Sequence, residues 1–117
     1  MNIKSSQFCL VALALLIFVA CSSVNIPIPT QADAERGARL FADLTLESLN
    51  QGKADHDRYC NTCHNYKPLE KYTTEQWEKI VPKMASKAAK KAGREVIDAV
   101  AQESIRKYVV TMCDIDK

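Results

Sequence analysis

Apolar positions along the chain fall into two regimes. Phe8 to Ala20 is an unbroken apolar run, whereas from about Ala32 onward apolar residues recur every three or four positions between charged ones, the spacing of helices with one buried face. Leu40, Phe41 and Leu44 predict a first short helix. Ser48 and Gln51 have the spacing of a capping-box pair, which predicts the start of a second. On it Leu49, Gly52, His56, Tyr59 and Cys60 share a face. Thr73 and Gln76 form another such pair and open a third helix, with Trp77, Ile80, Val81, Met84, Ala85 and Ala88 on its apolar side. Pro82 lies inside this pattern. It lacks an amide hydrogen and its ring collides with the carbonyl four residues back, which predicts a kink or break near Val81. Gly93 is placed to end the element. The last helix is predicted from about Arg94 to Met112, with a stripe of Ile97, Val100, Ala101, Ile105, Tyr108, Val109 and Met112. No convincing strand pattern and no internal repeat interrupts the series, so the predicted fold class is all-α.

The opening run differs in kind. Lys4 precedes it, no charge breaks it, and it is too short to span a bilayer comfortably, which marks residues 1–20 as a secretory signal, with an uncleaved membrane anchor as the alternative. At its end Phe18-Val19-Ala20-Cys21-Ser22-Ser23 resembles the lipobox of bacterial lipoproteins, with Phe18 where leucine is usual. That resemblance implies a lipid on Cys21, attachment to a membrane outside the cytoplasm and, from Ser22, retention at the outer membrane where the cell has one. Residues 21–31 carry Pro27 and Pro29 without a helical or alternating pattern and predict a tether. The helical domain then spans residues 32–117, with an added segment over 32–47 and a core over 48–112.

The chain holds five cysteines and two histidines. Cys9 belongs to the signal, Cys21 is the lipidation candidate, and Cys113 is left over, a free thiol or a partner for another chain, with an inert thiol the simplest reading. Cys60 and Cys63 fall together in Tyr59-Cys60-Asn61-Thr62-Cys63-His64. Zinc needs four such ligands, and beyond the motif only His56 and Cys113 remain to supply them. A redox dithiol belongs at a helix start beside a sheet, and no strands are predicted. Covalent haem accounts for more of the motif: two thiols three positions apart form thioethers to the two vinyl groups, and the adjoining His64 is held as proximal ligand to the iron. Export agrees, because bacterial c-type haem attachment takes place outside the cytoplasm. Size agrees as well. A helical body of roughly 70 residues is marginal without a staple, and a porphyrin would offer apolar surface to Trp77, Ile80, Val100 and Ile105.

On the strength of these residues, the chain resembles the small monohaem c-type cytochromes of class I. Gly52 stands eight residues before Cys60, where that family commonly has glycine, and Tyr108 matches the aromatic residue of its C-terminal helix. In that fold the two helices cross at close range, because glycine without a Cβ lets an aromatic ring lie against the backbone. His56 stands where an aromatic residue is common. The resemblance covers Ser48 to Met112 and implies one covalent haem c with His64 and Met84 as iron ligands. Met84 lies twenty residues after His64 and just beyond Pro82; its helical spacing fits ordinary core too, and Met112 is more simply core. In related cytochromes a proline carbonyl near Pro68 accepts a hydrogen bond from the proximal imidazole, although Pro68 also reads as a loop breaker. Trp77 would donate its indole hydrogen to a haem propionate by the same resemblance, and burial on the helix face explains it nearly as well.

A thioether sixth ligand suits an iron that carries electrons, and an open sixth position suits one that binds small molecules. The expectation is therefore an electron-transfer protein and not an enzyme. A haem-based sensor or ligand-binding module is the alternative, and an accessory subunit of a larger oxidoreductase is a third. Residues 67–94 carry eight basic against three acidic side chains, a net +5, while 32–66 and 95–117 are each −2. Lys79, Lys83, Lys87, Lys90, Lys91 and Arg94 would steer an acidic redox partner; the same run also reads as a solvated helix face. Nucleic acid is excluded as a partner of an exported haem protein.

Overall fold

The computed structural model describes residues 23–114, so the signal segment and Cys21 lie outside the described residues. Four α-helices and one 3-10 turn make up the described chain, in the order α1 (Gln31–Gly37), α2 (Leu46–Tyr59), the turn Leu69–Lys71, α3 (Thr74–Ala92) and α4 (Ala99–Met112). No strand occurs among the described residues, as the apolar spacing predicts. None of these helices is long and apolar enough to cross a membrane.

Local chemistry sets each helix start. Thr30 caps α1 and exchanges hydrogen bonds with Asp33. Arg36 then bridges the Asp33 carboxylate at 2.7 Å and the Thr111 carbonyl at 2.9 Å, satisfying a carbonyl in the last turn of α4 that has no helical partner. The first helix thus lies upstream of Leu40–Leu44. There the chain makes successive turns, with the Phe41 amide on the Gly37 carbonyl and the Leu44 amide on the Phe41 carbonyl. Turns bury Phe41 partly and Leu44 fully at the spacing a helix would show, and they leave Leu40 exposed.

α2 starts three residues earlier than predicted. Thr45 is its cap and Ser48 the reciprocal partner, with bonds of 3.1 and 2.9 Å, whereas Gln51 lies inside the helix and bonds Asp55. The expected face is present: Leu49, Gly52 and His56 are buried, and Tyr59 and Cys60 half-buried. α3 begins with the predicted Thr73 and Gln76 box and ends at Gly93, whose φ of 67° is the left-handed conformation that glycine adopts without strain. Pro82 does not interrupt it; the helix is unbroken from Thr74 to Ala92. The proline is exposed, and burial of Trp77, Val81 and Ala85 on the inner face outweighs a local penalty of about 3 kcal/mol. α4 begins later than predicted because Asp98, which accepts the Ala101 amide at 2.8 Å, is the first effective cap after Gly93. Ile97 is buried from the connecting loop, and Val100, one residue or about 100° away from Ala101 on the helix, is 79% exposed and outside the core.

The central packing event is the crossing of α2 and α4. A Cβ on Gly52 would lie 2.7 Å from the Tyr108 Cβ and closer still to the Ser104 carbonyl oxygen. Tyr108 is fully buried, and its hydroxyl donates to the Pro27 carbonyl at 2.6 Å. The stretch expected as a tether is therefore docked from Ile26 onward: Ile26 packs on the core and Pro29 is buried. Two prolines make this placement inexpensive, since neither carries an amide hydrogen needing a buried partner. The segment over 32–47 is likewise integral, its Ala34 and Leu44 forming a small second core with Leu49.

Gly52→Ala is expected to lower the unfolding free energy by about 1–3 kcal/mol, even though alanine gains roughly 1 kcal/mol in helix propensity. The opposing atom is helix backbone and cannot rotate away. Urea denaturation of the two proteins checks this, and an unchanged midpoint would show that the crossing has room to spare.

Candidate functional site

The C-terminal end of α2, the turn after it, the inner face of α3 and one side of α4 enclose a cleft of about 420 Å³, within the range of roughly 300–1,000 Å³ usual for small-molecule and cofactor sites. Cys60, Cys63 and His64 line it from the turn. Trp77, Ile80, Val81, Met84 and Ala88 line it from α3, and Ile105 and Val109 from α4. Tyr59, Tyr72 and Ile97 complete an apolar wall, while Lys67, Lys87 and Lys91 also line it and are exposed.

The motif turn is built by the end of α2. The Cys60 amide donates to the His56 carbonyl at 2.8 Å, closing the helix on the first cysteine. Cys60 is half-buried, and burial, with the Asp57 carboxylate nearby, pushes its thiol pKa up to about 11. A redox dithiol needs the opposite shift. Cys60 and Cys63 are not joined to one another, and Cys63 is exposed beside Lys91, whose Nζ is 3.9 Å from its Sγ. His64 is exposed, with Nδ1 2.8 Å from the Asn65 carbonyl oxygen. A carbonyl only accepts, so Nδ1 carries the hydrogen and Nε2 is left with a free lone pair. That is the tautomer a metal-ligating imidazole requires.

Five of the six predicted haem-binding residues line the same cleft: Cys60, Cys63, His64, Trp77 and Met84. Pro68 does not, and its carbonyl accepts the Lys71 amide at 3.2 Å, while the adjacent Asn65 carbonyl takes the His64 hydrogen. Trp77 presents its ring, but its indole hydrogen is committed to the Leu69 carbonyl at 2.9 Å. A carbonyl within reach in the 3-10 turn satisfies that buried donor directly. Val100, expected against a porphyrin, is exposed and away from the cleft. The two methionines separate, Met84 half-buried in the cleft wall and Met112 buried in the core. Cys113 is buried at the end of α4, its Sγ 3.4 Å from the Val110 carbonyl. Among the described residues no three His, Cys, Asp or Glu side chains are grouped to hold a metal ion.

Comparison with family models, curated proteins and solved structures finds no match to this chain. The likeness to class I cytochromes therefore rests on its own residues. Tyr72 escaped sequence reasoning because it sits outside a helix, where periodicity is silent, and Ile97, placed by its spacing on the stripe of the last helix, lines the cleft from the loop before that helix. The capping threonine next to Tyr72 and the aspartate next to Ile97 were the available signals.

His56 is 2% exposed and lines the cleft, its ring stacked on Tyr66 at 5.2 Å and tilted against Tyr108 at 5.5 Å. Burial holds its pKa below the usual 6.5, against the opposing pull of Asp57. Through the interval between the lowered folded value and the unfolded one, the unfolded chain binds more protons, so stability falls as pH falls. The denaturation midpoint of the wild-type protein is expected to drop as pH is lowered through 6.5, and that of His56→Phe to stay level over the same interval. A steady wild-type midpoint would show that His56 protonates as readily folded as unfolded.

Proposed function

We propose that this chain is an electron carrier holding one covalently attached haem c, exported and anchored through a lipid on Cys21 to a membrane outside the cytoplasm. The observation that carries the reading is the convergence of Cys60, Cys63, His64 and Met84 on one cleft that is otherwise mostly apolar. A bound haem supplies one-electron chemistry, its iron cycling between ferrous and ferric. Cys60 and Cys63 would be the thioether donors. His64 would offer Nε2 to the iron, with its other nitrogen held by the Asn65 carbonyl. Met84 offers the only sulfur on the α3 wall and would be the second protein ligand to the iron, chosen over Met112 because Met112 is in the core. Trp77, Ile80 and Ile105 exclude water from the site and take the apolar role that a small helical body needs filled. Because His64 and Met84 both come from segments held by the fold, reorganisation on electron transfer would be small, which suits transfer without substrate chemistry.

Lys67, Lys87 and Lys91 at the cleft, with Lys79, Lys83, Lys90 and Arg94 on the same stretch, favour an acidic redox partner whose docking weakens with salt.

Attachment is tested by extracting denatured protein with acid acetone: the pigment is expected to stay on the polypeptide. Cys60→Ser with Cys63→Ser should release it and leave a poorly folded chain with reduced far-UV helix signal. Pigment that washes out of the wild-type protein would end this reading.

Ligation by Met84 separates a carrier from a sensor. Ferric wild-type protein is expected to show the weak far-red absorption of methionine-ligated haem, and the ferrous form to bind carbon monoxide poorly. Met84→Ala should remove the band, lower the potential and open the iron to carbon monoxide, while Met112→Ala should do none of these and cost about 2–5 kcal/mol of stability as a core truncation. Ready carbon monoxide binding by wild-type protein, unchanged in Met84→Ala, would favour the sensor.

A further inference from the structure

His56 lines the cleft yet takes no part in holding the cofactor. Its Nδ1 is buried without a hydrogen-bond partner, a costly state that calls for an explanation. A phenyl ring would fill the space between Tyr66 and Tyr108 without leaving such an atom. What the imidazole adds is a place for a proton. Asp57 Oδ1 lies 3.5 Å from Nδ1, too far for a well-formed hydrogen bond to the ring as it stands. A proton on Nδ1 would turn that contact into a charge-assisted pair. The Asp57 side chain is 39% exposed and so reaches from solvent to the buried nitrogen.

The surroundings favour one added charge only under a condition. From its own helix His56 meets Asp57 and the nearby Lys53, which pairs with Asp57, and Cys60 lines the same cleft. The loop contributes Tyr66, whose hydroxyl donates to the Asp57 carbonyl, and α4 contributes the buried Tyr108. Across the cleft stand the cations Lys87 and Lys91, with Lys67 and His64 on the same wall as the motif. Burial, with Lys53 nearby, outweighs the Asp57 carboxylate and holds the imidazole neutral until negative charge enters the cleft.

We propose, resting on the carrier reading, that His56 is a proton-binding site coupled to electron transfer: when the cleft gains an electron from a reduced partner protein, His56 Nδ1 takes a proton from solvent by way of Asp57, and returns it when the electron leaves. One N–H bond forms and one electron arrives, so the net charge of the cleft is unchanged. The coupling arises from the weak screening of charge in an apolar site. Burial keeps the imidazole neutral near pH 7 before the electron arrives, and the added negative charge favours the imidazolium. Its affinity for the proton is then higher in the reduced protein, and the potential falls as pH rises between the two values.

The experiment is a spectroelectrochemical titration of the full haem-loaded chain against pH. Wild-type protein is expected to lose potential with rising pH at a slope approaching about 59 mV per unit, the tenfold equivalent for one electron, over an interval that opens below pH 6.5. His56→Phe should be flat there, and Asp57→Asn should move the interval to lower pH. Nuclear magnetic resonance titration of the wild-type imidazole, simple to assign with only two histidines in the chain, should give a higher pKa in the reduced state. A wild-type potential independent of pH, with equal His56 pKa values in both states, overturns the coupling and leaves the carrier standing. A slope that survives in His56→Phe assigns the proton to another group and also overturns it. A chain with no attached haem overturns both.

Discussion

The close approach of α2 and α4 at Gly52 is the constraint on which the rest of the molecule depends. Because Gly52 has no side chain, the Ser104 carbonyl and the base of Tyr108 come within a distance that any Cβ would forbid. Tyr108 is thereby driven into full burial, and its hydroxyl needs an acceptor. The acceptor is the Pro27 carbonyl, so the crossing recruits the N-terminal segment onto the body. The same rotation of α2 turns His56 inward, above Tyr108, and leaves Cys60 at the helix end facing the cleft. One missing methyl group thus determines where the motif points.

A second consequence concerns the core. The main cluster runs from Leu69 and Trp77 through Val81 and Ala85 to Ile105, Tyr108 and Val109. Several of its members also form the cleft wall, so the apolar interior is continuous with a concave surface. In a body this small, an unfilled apolar wall of that kind withholds part of the burial on which stability rests. The proposed haem would complete the core as well as perform its chemistry. Function and folding would then share one set of side chains, which is why the reading of Cys60, Cys63 and His64 bears on stability as much as on electron transfer.

His56 is where these two demands meet. Packing alone would accept any flat ring between Tyr66 and Tyr108, and only a titratable one leaves a buried nitrogen facing Asp57. An imidazole at position 56 thus carries a chemical consequence that its packing role conceals.

The amino-acid sequence by itself determined what local rules govern. The all-helical class, the buried faces of α2 and α3, the Thr73 cap and the Gly93 stop depend on spacing and on backbone groups a few residues apart, and all are legible in order along the chain. The CxxCH turn, too, is visible in the sequence as a motif because its residues are adjacent. What the sequence left open were choices between equivalent local solutions. Thr45 with Ser48 and Ser48 with Gln51 offer two nearby starts for one helix, and burial of the α2 face selected the first. Asp98 prevailed over an earlier start for α4, and Val100 was turned outward with it. Leu40 to Leu44 became turns once Thr30 and Arg36 had fixed α1. Only the tertiary structure could place Met84 in the cleft and Met112 in the core, send the Trp77 hydrogen to Leu69, and lay Pro27 on Tyr108. Each of those outcomes depends on groups far apart in sequence competing for the same buried volume or the same lone pair, and no periodicity along one stretch of chain records which of them prevails.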